Sequence, residues 1–182
     1  MDSDMKTQMK IISLAKCLHG FGLVDLKQLL SVSSKMLWQA GDDVFHEGDS
    51  GRNMYIICSG KITIWRKSGG RCLNLASLSV GESFGEMALA DAGQRSAGAR
   101  AVEDTLALCI SHDRLHEAPI AASILYRNIA KALAERLKIA NNVIVFQWRC
   151  LSFRGHAGTI FEHLYRRFIS IGEAFSLAIF KI

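Results

Sequence analysis

Three textures of apolar spacing follow one another along this chain. Ile11, Ile12, Leu14, Ala15 and Leu18 recur at roughly helical intervals and are followed by Gly20, so a short helix is predicted to end near that glycine. Val24, Leu26, Leu29 and Leu30 predict a second helix, with Asp25 placed at its electropositive start. From Ser33 the pattern becomes short β-branched and aromatic runs, Met54 to Cys58 and Lys61 to Trp65. Gly41, Gly48, Gly51, Gly60, Gly69, Gly70 and Gly81 break them at strand-and-turn spacing. An antiparallel sheet region is predicted. Ser68, Gly69, Gly70 and Arg71 read as a hairpin turn, since glycine reaches positive φ without steric cost. Val102 to Ile110 supplies a further strand.

The sole proline, Pro119, marks the next change, because its missing N–H would be unsatisfied at a helix start anyway. Leu125, Ile129, Leu133, Leu137, Ala140 and Ile144 then recur three or four residues apart and form one apolar stripe of a long helix. Lys131, Glu135 and Lys138 lie off it, and Glu135 and Lys138 are spaced to pair. Gly155 to Gly158 predict a break, after which Phe161, Leu164, Tyr165, Phe168 and Phe175 suggest a last amphipathic helix. The resulting organisation is a helical segment over 1–32, a β domain over 33–118, its long helix over 119–145 and a helical tail over 146–182.

Composition narrows the classes. With 182 residues, 49% hydrophobic and 21% charged, the chain can bury one substantial core and is short for two. The net charge of +5 would permit binding to nucleic acid or an anionic membrane, yet it is spread without a basic block, so the signal for either is weak. Five cysteines with no CxxC pair, and no secretory leader, fit a reducing cytoplasm. Glu173 interrupts the most apolar stretch, so no run reaches the roughly 18 residues a spanning helix needs. Cys58, Cys72 and Cys109 fall in predicted strands and read as core residues. Trp38, Trp65 and Trp148 read as core as well, although each could stack on a purine. His112 and His116 stand i, i+4, but lack the intervening Glu of HExxH and a third ligand, so they read as surface histidines. No triad, Walker loop or spaced carboxylate pair is present. A non-enzyme without metal or cofactor is expected.

The chemistry concentrates in residues 84–99. There Glu86 opens a helix-forming run, Met87, Ala88 and Leu89, and a turn around Asp91 and Gly93 leads to Arg95 and Ser96. These groups suit a cyclised nucleotide phosphate. Arg95 can donate two parallel hydrogen bonds to a phosphodiester and cannot lose its proton. N–H groups at the start of the short helix add partial positive charge, and Gly85 lets a ligand approach the backbone. Glu86 can accept from a ribose hydroxyl, and the Ser96 hydroxyl can donate to a phosphate oxygen. Outside such a motif, Glu86 and Arg95 would read as a structural ion pair.

Taken with Gly41 to Asp49, Met54 to Ile57, Ser59 to Ile62 and Gly81 to Glu86, this cassette resembles the cyclic nucleotide-binding domain of bacterial catabolite activators, kinase regulatory subunits and gated channels. The resemblance runs from about Leu18 to Asn141. It implies a mainly β fold with flanking helices, an eight-stranded jelly-roll β-roll followed by a long C-terminal helix. It implies a ligand held against Phe84, Gly85, Glu86, Met87, Ala88, Arg95, Ser96 and Ala97. Where the activators carry base-contacting hydroxyls late in the long helix, this chain has Ala140, Asn141 and Asn142, so base reading there would use an amide, Asn141 first. Serine after the arginine resembles members that prefer cAMP, whereas cGMP-selective members often carry threonine.

Two further functional readings accompany the binding module that signals to an effector protein. One is a shortened transcription regulator, in which Thr159 to Phe168 is the first helix of a lost DNA module; the residues after Asn142 are too few for a winged helix-turn-helix, so direct DNA binding is not expected. The other is a ligand-independent interaction module. The long-helix stripe can pack solely on its own roll, or partly on a second copy as a homodimer through the helix over 119–145. The tail can pack on the core or anchor to a membrane surface, and core packing is the expectation.

Overall fold

The structure is a computed structural model and describes residues 15–91 and 93–152, with side chains as far as residue 146. Its elements are a 3-10 turn (Lys16–Leu18), helix α1 (Leu23–Ser31), strands β1 (Ser33–Trp38), β2 (Asp43–Phe45), β3 (Asn53–Ser59), β4 (Ile62–Ser68), β5 (Arg71–Leu78) and β6 (Ser83–Phe84). Helix α2 (Glu86–Asp91), strands β7 (Gly98–Ala101) and β8 (Thr105–Ser111), a second 3-10 turn (His112–Glu117) and helix α3 (Pro119–Ser152) complete them.

The eight strands form two antiparallel four-stranded sheets in the orders β1-β8-β3-β6 and β2-β7-β4-β5. This interleaving, with chain neighbours sent to opposite sheets, is the jelly-roll. Strands β4 and β5 stay together as the hairpin, Ser68 opposite Arg71. Gly69 and Gly70 at φ 56° and 76° make the two-residue turn whose twist matches the flanking strands. Sheet crossings occur at corners. At one, Val102 N–H donates to Lys61 O at 2.9 Å, and the Thr105 hydroxyl donates to Glu103 O at 2.7 Å while accepting from Lys61 N–H at 3.1 Å. The strand expected from Val102 therefore begins at Thr105, because Val102 to Asp104 carry the chain from one sheet to the other.

Strand β3 is buried over Met54, Tyr55, Ile56 and Ile57, which requires cover on both faces of its sheet. The inner face meets the opposite sheet, where Phe45 stacks on Tyr55 with ring centroids 6.3 Å apart. The outer face meets the helical layer, and α2 lies against β3. Leu26, Leu29, Leu125 and Ile129 fill that layer. Asn128 ties it together by donating through Nδ2 to Cys17 O at 2.9 Å and His19 O at 2.8 Å.

Several expectations need correction. Among the described residues the segment before Gly20 is only the 3-10 turn Lys16–Leu18, and Ile11, Ile12 and Leu14 lie outside them. Val24 is exposed while Leu26 and Leu29 are buried, since a nine-residue helix shows the sheet only one narrow face. Cys72 is exposed because the far end of the β4–β5 hairpin extends beyond the opposite sheet's cover. Helix α3 continues past 145 to Ser152, as no glycine or proline interrupts it before Gly155. The chain separates into two compact units, one ending at Ala130 and one beginning at Lys131. The stripe divides with them: Leu125 and Ile129 are buried, whereas Leu137 and Ile144 are 61% and 59% exposed. Lys138 Nζ pairs with Glu135 Oε1 at 2.6 Å, as the spacing predicted. The Gly155 to Gly158 break, the last helix from Phe161 and the side chain of Trp148 lie outside the described residues. Among the described residues, no helix is long and apolar enough to cross a membrane.

Candidate functional site

Strand β6 ends at Phe84, a buried residue paired with Tyr55. Gly85, at φ +79°, then turns the chain into α2, a conformation that side chains with a Cβ rarely adopt. Glu86, 6% exposed, opens α2, with Ala88 and Leu89 buried beneath it and Met87 outside. After the helix, Asp91 Oδ1 accepts from Gly93 N–H at 2.9 Å and shapes the turn leading to Arg95.

The return segment is fixed to the loop after β2. Arg95 N–H donates to Asp49 O at 2.8 Å and Gly48 N–H to Arg95 O at 2.9 Å, and Ser50 bridges Gln94. These bonds fix the backbone that carries Arg95, whose residue is only 5% exposed. Its guanidinium turns into the roll. Nη1 donates to Asn53 O at 2.8 Å and Gly85 O at 3.1 Å, and the carbon of the head lies 4.1 Å from the Phe45 ring centroid and 5.8 Å from that of Tyr55. Nε is buried without a partner among the described residues.

Burial lowers the Arg95 guanidinium pKa from its ordinary value, partly offset by neighbouring groups including Glu86 and Asp49 acting through space. It remains a cation, since arginine stays protonated in proteins. Burial likewise raises the Tyr55 phenol and the Cys109 thiol. A buried guanidinium with donors to spare can receive an oxyanion. Both described bonds leave from Nη1, and a buried donor without an acceptor costs about 1–3 kcal/mol, which an anionic oxygen would recover.

The structure brings Phe84, Gly85, Glu86, Met87, Ala88, Arg95, Ser96 and Ala97 into one cassette between β6 and β7. Ser96 is exposed, and its hydroxyl donates to Met87 Sδ at 3.5 Å across the cassette mouth. Ala97 is buried beneath. Asn141 belongs to the other unit and is exposed on α3. Sequence reasoning missed Phe45, Gly51, Asn53 and Tyr55 as neighbours of Arg95. A Cβ on Gly51 would stand 2.3 Å from Arg95 Nε, so this glycine is what lets the head lie where it does. Phe45 and Gly51 sit in or beside a motif already singled out, but nothing in linear spacing ties them to an arginine over forty residues later. His112 and His116 lie in the second 3-10 turn, where His116 Nδ1 meets Asp113 O at 2.7 Å. Among the described residues no group of three or more His, Cys, Asp or Glu could hold a metal.

Comparison with known proteins places this geometry. The family described as "Cyclic nucleotide-binding domain" matches residues 35–118. The "Cyclic AMP receptor protein" of Thermus thermophilus is 37% identical over 124 residues, covering 68% of this chain and 57% of that protein. A "CRP-like cAMP-activated global transcriptional regulator" of Mycobacterium tuberculosis is 32% identical over 103 residues, covering 56% and 46%. The crystal structure of the Thermus thermophilus catabolite activator protein superposes with a TM-score of 0.69 at 34% identity, over 73% of this chain and 63% of that one. The chain spans about half the length of these curated relatives.

Proposed function

Residues 35–118 belong to the cyclic nucleotide-binding domain family, and from that premise we propose that the chain is a regulatory module that binds cAMP in the 84–97 cassette. The observation that carries this reading is Arg95: a cation 5% exposed, held by two carbonyls on one nitrogen, with Nε unmatched. In this reading Arg95 and the first N–H groups of α2 take the phosphodiester. Glu86 accepts from the ribose 2′-hydroxyl, and Ser96 exchanges its bond to Met87 for one to an exocyclic phosphate oxygen. The chemistry is recognition, with no bond broken. Serine after the arginine and relatives named for cAMP favour cAMP over cGMP.

Occupancy would travel through the helical layer. Cys17 packs against Ser83, one residue before Phe84, and Glu86 acts on the same thiol, while the carbonyl of Cys17 accepts from Asn128 on α3. A cassette that moves inward would therefore pull on the turn that α3 grips. The ligand shifts this equilibrium only by its differential affinity for the two arrangements. Leu137, Ile144 and Val145, exposed on the later part of α3, are the surface we assign to self-association, with an effector protein downstream. The relatives' names and the partial coverage support a second reading, a shortened regulator of the catabolite activator type. Absence of any DNA gel shift at low salt would remove it.

Thermal unfolding with cAMP, cGMP and AMP, for wild type and Arg95→Ala, tests the proposal. Cyclic AMP at a hundredfold over its dissociation constant adds about 2.7 kcal/mol. Arg95→Ala weakens binding about a hundredfold, the loss of one charged hydrogen-bonding group. An equal response to AMP, or an unchanged Arg95→Ala, would refute recognition of the cyclic phosphate.

A further inference from the structure

The guanidinium carbon of Arg95 lies over the Phe45 ring, 4.1 Å from its centroid, and Phe45 is itself packed against two further rings. Its ring stacks on Tyr55 at 6.3 Å and meets Phe84 at 5.9 Å, and Tyr55 and Phe84 stack on each other at 5.1 Å. The three rings come from both sheets: Phe45 from β2, Tyr55 and Phe84 from β3 and β6. A buried cation is ordinarily compensated by a carboxylate, whereas the hydrogen bonds described for the Arg95 head go to carbonyls, Asn53 O and Gly85 O, and Glu86 and Asp49 act on it through space. A carboxylate there would hold the head at the cost of competing with any incoming anion. A π face attracts the cation through its quadrupole without taking up any N–H of the head, so beyond the two bonds from Nη1 its donors are not spent on holding it, and Nε is unmatched.

We propose that Phe45 is a positioning residue for anion recognition: it holds the Arg95 head over its ring, keeping it ordered and charged without neutralising it. This inference rests on Arg95 being the phosphate ligand. Gly51 is the steric complement, because a Cβ there would come within 2.3 Å of Nε and 2.6 Å of the guanidinium carbon. The head thus lies between a ring and a glycine.

Titration calorimetry with cAMP on the full chain tests it through two double-mutant cycles. Phe45→Leu keeps an apolar side chain but removes the π face, and affinity falls about tenfold, the worth of a desolvated cation–π contact. Phe45→Tyr keeps the face and stays within about twofold of wild type. In an Arg95→Ala background, Phe45→Leu has no further effect. Gly51→Ala lifts the head off the ring, lowers affinity at least tenfold in the presence of Arg95, and is neutral in its absence; this second cycle carries the test if Phe45→Leu does not fold. An equal loss in the Arg95→Ala background, or a Phe45→Tyr as weak as Phe45→Leu, would overturn the positioning role while leaving the site intact. If Arg95→Ala alone binds as wild type does, it is the site assignment that fails.

Discussion

Asn128 is a buried amide that joins the long helix to the N-terminal turn, and replacing it gives a sharp test of how the helical layer is held. The residue is 8% exposed, and both of its hydrogen bonds leave Nδ2, for Cys17 O at 2.9 Å and His19 O at 2.8 Å. Asn128→Ala strands both acceptors. His19 is exposed, so water can reach its carbonyl and the loss there is small. Cys17 sits deeper, and an unmatched buried polar group costs about 1–3 kcal/mol. With the small gap left by the side chain, destabilisation of about 2–3 kcal/mol follows. For a chain of this size that lowers the melting temperature by about 4–12 °C. Asn128→Asp separates the hydrogen bonds from packing, because a carboxylate fills nearly the same space but cannot donate. It would face two carbonyls across a buried contact and must be less stable than Asn128→Ala at neutral pH, recovering in part as acid protonates it. Calorimetric melting of the three proteins at pH 7 and pH 4.5 reads this directly. An Asn128→Ala within 0.5 kcal/mol of wild type, or an Asn128→Asp as stable as wild type at neutral pH, would show that the amide does not hold the turn.

Other outcomes are equally definite. Gly60 has φ +85°, and an added Cβ would lie 2.4 Å from the backbone oxygen of Asp104; Gly60→Ala should cost about 3 kcal/mol or more in urea unfolding, and a loss under 1 kcal/mol would contradict the tight corner. Burial pushes the Cys17 thiol up to about 12 from 9.0, so its protonated form stabilises the folded state fully below pH 9, and this contribution is lost as pH rises toward 12. Cys17→Ala should therefore flatten the alkaline part of the stability curve, and an unchanged slope between pH 9 and 11 would refute the assignment. In the folded protein at pH 8, iodoacetamide should label exposed Cys72 well before Cys17, as peptide mapping by mass spectrometry would show. Leu137→Glu, on a side chain 61% exposed, should leave melting within 0.5 kcal/mol yet abolish self-association in sedimentation; unchanged association would move the interface elsewhere.

Much of the fold was legible because its signals are local. The double glycine after Ser68, set between two strand-forming runs, favours a two-residue hairpin turn, and Pro119 opened the helix that its fixed φ favours. The cassette could be read because an arginine, a glycine at positive φ and a short helix lie within twelve residues of one another. Failures fell where distant chain decides. Val102 has the composition of a strand but spends its N–H on Lys61 at a corner. Cys72 has a strand's neighbours but no opposite sheet above it. The stripe through Leu125 and Ile144 shows that one helix face is apolar, without saying which part of it the roll covers.

Residue order alone determined the succession of helices and strands and the main hairpin, since periodicity and turn glycines are properties of short stretches of chain, and the kind of domain was legible through the resemblance of its spaced motifs to a known family. How Arg95 is held belongs to the tertiary structure. Phe45, Gly51, Asn53 and Tyr55 reach the same guanidinium only because two sheets are packed face to face. A π contact or a close approach has no linear signature: its energy depends on distances of a few ångströms between strands that the sequence keeps far apart.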